Sequence, residues 1–111
     1  MNDLINEAEI FFGKSFPDSY ANFLRNSSGA ILENGIVLYS IDDLVERNLT
    51  FEVLEYAEGY LAIGDDSGGA CIMLNLEGFG VYTVSQGSMD PEDMELVSKS
   101  FDEWFSTVKR L

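Results

Sequence analysis

The residues best suited to chemistry in this chain lie in one short turn, residues 65–69, with the sequence Asp-Asp-Ser-Gly-Gly. A serine between an aspartate and two glycines is the pattern found at the nucleophile of one class of serine proteases. Such a serine attacks only when a neighbouring base, a histidine in that class, removes its proton. The chain contains no histidine. We therefore interpret Ser67 as a turn residue, assign no catalytic residue and predict that the chain is not an enzyme.

The paired carboxylates of Asp65 and Asp66 suggest cation binding or acid–base catalysis as alternatives. Their spacing does not match the loop of helix–loop–helix calcium sites, and the nitrogen ligands of zinc sites are missing. Neighbouring residues of a strand or turn also point their side chains apart, which separates two carboxylates that would have to share one substrate. We predict no metal and no cofactor.

Three glycines, Gly64, Gly68 and Gly69, surround the same turn. Two apolar runs, Tyr60–Ile63 and Ala70–Leu74, flank it and have the length and composition of buried strands. The glycines would then join strand to strand, which leaves no helix N-terminus to receive a phosphate. We predict a β-hairpin with an acidic tip, in which the three glycines have a structural role and supply positive φ.

The charge balance of the chain is strongly acidic. Its 111 residues, predicted to form a single domain over 1–111, include 20 acids and six bases, for a formal net charge of −14. Nucleic acids and anionic membranes are disfavoured as partners, because both are bound through clustered Lys and Arg. A basic protein is favoured, because complementary charge speeds encounter. The alternative is that the acidity only keeps a small protein in solution.

The location of the protein is expected to be cytoplasmic. A single cysteine, Cys71, lies within an apolar run, where we interpret it as a small buried hydrophobic residue. No disulfide forms within such a chain, which suits a reducing compartment. No apolar segment reaches the length of a membrane span, and residues 1–7 lack the basic residues of a signal peptide.

The elements that position the acidic turn follow from apolar spacing, caps and turn residues. The predicted helices cover 3–12, a second segment between Ser15 and Ser28 with Pro17 in its first turn, 41–47, and 100–108 with a capping box formed by Ser100 and Glu103. The predicted strands cover 30–33, 36–40, 60–63, 70–74 and 80–84. Thr50–Glu58 is compatible with strand or helix, and Gln86–Glu95 with a loop or a short helix that begins at Asp90-Pro91.

The fold class predicted from this order is α+β, with an antiparallel meander sheet flanked by N-terminal and C-terminal helices. Several of these segments, taken together, resemble the SUKH superfamily of Smi/Knr-like domains. Residues 16–24 (FPDSYANFL) are similar to the family's Leu-Pro-x-x-Tyr-x-x-Phe-Leu helix. Residues 63–69 (IGDDSGG) are similar to its Ile-Gly-x-Asp-x-Gly-Gly hairpin, and residues 100–105 (SFDEWF) to its Ser-Phe-x-x-Phe ending. Phe16 departs from the family's usual leucine, and Ala57-Glu58 stands where a proline is common.

The resemblance implies a function that composition alone does not. Many bacterial members are immunity proteins, which bind and neutralise toxins, often nucleases, of polymorphic or contact-dependent systems. Fungal relatives are regulatory scaffolds. The resemblance therefore implies a non-catalytic immunity protein for a basic toxin, expected to be a nuclease, and the alternative is a scaffold that recruits an endogenous protein. The sequence leaves monomer and homodimer both open.

The residues expected to meet that partner are acids outside the apolar periodicity. Acids at loop tips are exposed to solvent, where each contributes little to stability and all contribute to the field that a basic partner meets. The hairpin pair is favoured over the second group, because a tight turn presents it on a rigid support. The predicted partner-binding residues are Asp65, Asp66, Asp90, Glu92 and Asp93.

Overall fold

The computed structural model of the chain describes residues 3–27, 29–32 and 34–108. Over these residues six strands form one antiparallel sheet whose spatial order, β1 to β6, is the order of the chain. The strands are β1 (Ala30–Ile31), β2 (Val37–Leu38), β3 (Tyr60–Asp65), β4 (Ala70–Asn75), β5 (Val81–Ser85) and β6 (Glu95–Ser98). The helices are α1 (Asp3–Phe12), α2 (Asp18–Asn26), α3 (Ile41–Thr50), α4 (Val53–Tyr56), α5 (Phe101–Val108) and a 3-10 turn at Pro91–Asp93. The predicted α+β meander with helices at both ends is confirmed.

The predicted helix boundaries needed small corrections. Pro17 is the N-cap of α2, with extended backbone (φ −58, ψ 145), and does not lie in the first turn. The predicted stop of α2 was Ser28-Gly29. Gly29 has φ +90, and Ser28 lies outside the described residues. Helix α3 continues to Thr50, three residues beyond its predicted end at Arg47.

The segment that the sequence left undecided between strand and helix is helical. Glu52 adopts a left-handed conformation (φ 57) that separates α3 from the short helix α4. Val53, the first residue of that helix, and Ala57, its C-cap, are fully buried. A four-residue helix has little stability of its own, so its burial against the sheet accounts for it.

The hairpin predicted around Asn34-Gly35 forms with shorter strands than expected. Ala30 pairs with Leu38 and Ile31 with Val37. Gly35 has φ +90, as a tight hairpin turn requires at that position. The predicted end of the first strand, Glu33, lies outside the described residues.

Strand β6 was not predicted. It follows the 3-10 turn at Pro91–Asp93, which confirms the short-helix alternative for the stretch after Asp90. It pairs with β5, with Glu95 opposite Thr83 and Leu96 opposite Tyr82. Its residues are mostly exposed, so the sequence shows none of the buried alternation that marks β3 and β4.

The sheet has an apolar layer on each face. Side chains of alternate strand residues point to opposite faces, and the two sets enter separate clusters. Leu61, Ile63, Ile72, Leu74 and Val81 join the main core with residues of α1, α2, α3 and α5. On the other face Ala62, Cys71, Met73 and Val84 pack with Val53, Ala57 and Met89. The second cluster is the smaller one: among the described residues, that face is covered by the segment from Phe51 to Ala57 and by the loop between β5 and β6.

Cys71 is part of this second cluster. Its side chain is fully buried, and burial, reinforced by the nearby Asp65 and Asp66, raises the pKa of the thiol to about 12. A thiol with that pKa is protonated at neutral pH and reacts slowly. The residue is thus a small buried hydrophobic side chain, as its apolar neighbours in the sequence indicate.

Candidate functional site

Three turns meet at one end of the sheet: residues 34–35, residues 66–69, and the β5–β6 loop, residues 86–94. The Ser67 hydroxyl donates to the carbonyl oxygen of Gly35 at 2.6 Å. The Gln86 N–H donates to the carbonyl oxygen of Gly69 at 2.9 Å. The structure therefore brings both predicted acidic groups, at 65–66 and 90–93, to the same end of the sheet, called the acidic end below.

The carboxylates of the hairpin tip bind the turn's own groups. Asp66 accepts hydrogen bonds from the N–H groups of Gly68 at 2.7 Å and Ala70 at 3.1 Å. Bonds to the charged form favour it, so these donors, Ala70 above all, hold the pKa of Asp66 below its usual value. Asp65 accepts from the Ser67 N–H and from the Tyr39 hydroxyl, both at 2.9 Å. The pair predicted to bind a partner thus also stabilises the turn.

The three glycines of the hairpin differ in what they contribute. Positive φ occurs at Gly69 (φ 102) and at Ser67 (φ 64), so the expectation of positive φ at Gly64 and Gly68 was wrong. Gly64 is required for another reason, because a Cβ there would lie 2.2 Å from the carbonyl oxygen of Val37 on β2. The atoms nearest to a Cβ on Gly68 would be those of the Asp66 carboxylate, at an ordinary 3.4 Å.

The second acidic group is exposed and lightly constrained. Asp90 caps the 3-10 turn by accepting from the Glu92 N–H at 2.9 Å. Asp93 accepts from the Ser88 hydroxyl at 2.5 Å. The Glu92 carboxylate forms no hydrogen bond or ion pair with another described residue. These acids are therefore available to a partner at less structural cost than the hairpin pair.

A cleft of about 400 Å³ opens beside the β5–β6 loop, between that loop and the junction of α3 with α4. Two residues that line it, Glu52 and Met89, have left-handed backbone (φ 57 and 55). No local pattern in the sequence predicts this cleft, since its two walls, residues 50–56 and 86–89, are about 30 residues apart along the chain and come together only in the folded structure. It is lined by Thr50, Phe51, Glu52, Tyr56, Gln86, Gly87, Ser88 and Met89.

The charges of the chain are distributed unevenly, a feature that the net charge conceals. The segment from Asn48 to Ser98, called the base-free segment below, contains no Lys or Arg. Arg47, just before it, is paired with Glu46 at 3.0 Å and lies over the Phe51 ring. Lys14 reaches one acid of the segment, Glu77, at 3.1 Å. Ten of the 20 acids lie in the segment: Glu52, Glu55, Glu58, Asp65, Asp66, Glu77, Asp90, Glu92, Asp93 and Glu95.

The acids do not assemble into a metal site in the part of the chain that the structure describes, where no group of three or more His, Cys, Asp or Glu could hold an ion. Within the same residues, every helix is too short or too polar to cross a membrane. What the acidic end offers chemically is a set of exposed carboxylates on a rigid sheet end, which suits binding of positive charge.

Comparison with known proteins agrees with the motifs in the sequence. A protein of Bacillus subtilis (strain 168), "Uncharacterized protein YnaB", is 28% identical over 110 residues, which cover 96% of this chain and 74% of that protein. The model of one protein family, the SMI1 / KNR4 family (SUKH-1), matches residues 2–107. That match extends over the helices and every strand of the meander, including the acidic hairpin and the loop before β6. The chain therefore belongs to the SMI1 / KNR4 family (SUKH-1).

Proposed function

We propose that this chain is a non-catalytic immunity protein of the cytoplasm that binds a basic toxin, a nuclease, of a polymorphic or contact-dependent system. The observation that carries the proposal is the acidic end, where the carboxylates of residues 65–66 and 90–93 lie at one end of the sheet, within a segment of the sequence that contains no Lys or Arg. Family membership supports it, because the resemblance to SUKH domains implies this role for many bacterial members.

The proposed mechanism is competition for the toxin's positive charge. A nuclease holds the phosphates of its substrate through Lys and Arg side chains. Carboxylates at the acidic end would occupy those groups and block access of nucleic acid. The turns that carry them are fixed by hydrogen bonds such as Ser67 to Gly35 and Gln86 to Gly69, so little ordering entropy is lost on binding.

The test is co-expression of the chain with the product of the adjacent gene. An immunity protein is expected to co-purify with that product and to restore growth when the product is toxic. A scaffold, the alternative that the sequence suggests, would leave growth unaffected and co-purify with an endogenous protein. Binding to neither would contradict the proposal.

A matched pair of variants tests the role of the acidic end in that experiment. Asp90→Asn/Glu92→Gln/Asp93→Asn removes three negative charges from the β5–β6 loop. Glu7→Gln/Asp18→Asn/Asp42→Asn removes the same charge from exposed positions outside the base-free segment. We expect the first variant to protect less well and the second to behave as the unmodified chain. Equal loss in both would show that only net charge matters.

A further inference from the structure

Strand β6 is the outer strand on one side of the sheet. Among the described residues its backbone is hydrogen-bonded to β5 alone, which leaves its other edge unpaired. Its two apolar side chains, Leu96 and Val97, are 56% and 48% exposed. An edge of this kind is a template for another strand.

The length of β6 separates it from the other edge of the sheet. Strand β1 has only two residues, whereas β6 has four and continues from Met94, which is already extended. Natural edges are often blocked by Lys or Pro, and Glu95–Ser98 contains neither. A register shift opposite Val81 and Tyr82 makes Val97 a bulged residue, so the regular edge is short. A partner must therefore gain affinity from side chains and charge as well as from backbone pairing.

The charge around β6 selects the partner. Residues 90–103 carry six acids and one base, Lys99, and the six carboxylates are exposed. A second copy would bring two such segments together, at a cost in repulsion. A segment rich in Lys or Arg would instead be attracted along its whole length.

The surface beside β6 offers contacts for side chains of an added strand. Leu96 lies opposite Tyr82, and both approach Gly80, where a Cβ would be 3.1 Å from Leu96 Cδ1 and 3.2 Å from Tyr82 Cε1. Tyr82 in turn makes an edge contact with the Tyr60 ring, with ring centroids 5.6 Å apart. Apolar side chains pack on such a strip, and arginine stacks on tyrosine rings.

We propose that β6 is a docking edge, at which a basic, extended segment of the partner adds to the sheet as a seventh strand, with its apolar side chains on Leu96 and Tyr82 and its basic side chains towards residues 90–95. The proposal specifies how the partner of the proposed function binds, and in that respect it rests on that function.

The first test is made on the isolated chain with synthetic peptides. The ¹⁵N-labelled protein is titrated with Arg-Val-Arg-Val-Arg-Val-Arg, with the Glu-Val counterpart, and with the basic peptide N-methylated at every peptide bond, so that neither edge of that peptide can donate a backbone hydrogen bond to β6. We expect the amide signals of residues 94–98 to shift with the basic peptide only. Shifts confined to other strands, or the same shifts with the N-methylated peptide, would overturn the proposal.

Variants make the test specific to β6. Leu96→Lys/Val97→Lys is expected to weaken binding of the basic peptide at least tenfold more than Ile31→Lys/Leu49→Lys, which adds the same charge at exposed apolar positions elsewhere. Equal weakening would contradict docking at β6. A chain that sediments as a dimer, and as a monomer after Leu96→Lys, would show that a second copy occupies the edge and that the proposal is wrong.

A second test separates this inference from the proposed function. Amide hydrogen exchange is measured on the chain with and without the product of the adjacent gene. Protection at residues 94–98 supports docking at β6. Binding with protection at other residues would contradict docking at β6 and leave the proposed function intact. If the product of the adjacent gene does not bind, the proposed function is wrong, and the peptide titration alone then tests docking at β6.

Discussion

The side-chain amide of Asn48, in helix α3, forms two hydrogen bonds with the backbone of one strand residue, Ala62. Its Nδ2 donates to the Ala62 carbonyl at 2.9 Å, and its Oδ1 accepts from the Ala62 N–H at 2.8 Å. Strand β2 pairs with β3 at Asp65 and Gly64. Further along β3, at Ala62, the side-chain amide of Asn48 makes the backbone hydrogen bonds that a neighbouring strand would otherwise make. Asn48 is 2% exposed, and it fastens the helical layer to the sheet.

Replacing Asn48 should therefore destabilise the fold. Asn48→Leu leaves the N–H and carbonyl of Ala62 buried without partners, and each such group costs about 1–3 kcal/mol. We expect a loss of about 2–4 kcal/mol in the free energy of unfolding, measured with urea. Leu49→Gln, at an exposed position of the same helix, should change it by less than about 0.5 kcal/mol. Similar values for both variants would contradict this role.

The glycines of the hairpin should differ in their tolerance of alanine. Gly64→Ala would force β2 and β3 apart, because its Cβ would lie 2.2 Å from the Val37 carbonyl oxygen. We expect a loss of about 2–3 kcal/mol there and about 1 kcal/mol for Gly69→Ala, where φ is positive. Gly68→Ala should be nearly neutral. Thermal melting of the three variants ranks their losses of stability. A larger loss for Gly68→Ala than for the other two variants would contradict this prediction.

Tyr20 carries a buried hydroxyl for which the described residues supply no hydrogen-bond partner. Its ring is fully buried and lies 5.1 Å from Phe101, centroid to centroid. Tyr20→Phe keeps the ring contact and removes a polar group whose burial is unfavourable. We expect unchanged or slightly higher stability, by up to about 1 kcal/mol, whereas Tyr20→Leu should be destabilising. A clear loss on Tyr20→Phe would reveal a partner for the hydroxyl.

Asp66 should make the stability of the fold depend on pH in the acid range. The pKa of its carboxyl is lowered in the folded chain from the usual 3.8, so its contribution is present above 3.8 and is lost as pH falls through the folded value. Asp66→Asn should be less stable than the unmodified chain at pH 7, and the difference should narrow as the pH falls below 3.8. Asp18→Asn corrects for the general effect of net charge. A difference that does not narrow at low pH would argue against this linkage.

Association with a basic partner should depend on salt and on position. Asp65→Asn/Asp66→Asn and Asp90→Asn/Asp93→Asn each remove two charges from the acidic end. At least one of these two double variants should associate with the partner more slowly than the unmodified chain does. The difference in association rate should shrink as the Debye length decreases from about 10 Å at 0.1 M salt to about 3 Å at 1 M. The second pair is the cleaner probe, since Asp65 and Asp66 also bind the turn. Association rates that do not depend on salt and that are equal in the unmodified chain and both double variants would exclude electrostatic steering.

How far the sequence predicts this structure depends on where each signal comes from. Helices α1 and α5 and strands β3 and β4 have strong local periodicity and were predicted within about two residues. In α5 the Ser100 hydroxyl accepts from the Glu103 N–H at 3.2 Å, as the capping pattern indicates. Strand β6 was missed because Leu96 and Val97 form a short apolar pair between polar residues, Glu95 and Ser98, and it is the pairing with β5 that makes them a strand.

The acidic end shows the same limit. The hairpin and its acids follow from local sequence, but their proximity to residues 86–94 depends on the register of β4 with β5, in which Ala70 lies opposite Ser85. The cleft and the role of Asn48 arise from contacts between distant segments, for which spacing along the chain gives no signal. Gly64 was predicted to be a special position because of positive φ, whereas in the structure the close approach of the Val37 carbonyl oxygen leaves no room for a Cβ there.

The strand order has a consequence for how the chain folds. Because each strand pairs with the next one along the chain, most of the sheet closes through short loops, which favours rapid folding. The aromatic contacts between α2 and α5 are the exception, since Phe23 and Phe105, with ring centroids 5.3 Å apart, come from opposite ends of the chain. During synthesis on the ribosome the rings of α2 lack these partners until α5 has been made, and α5 follows all six strands in the sequence. Until then they form an exposed apolar surface, which is the part of the nascent chain that a chaperone would meet.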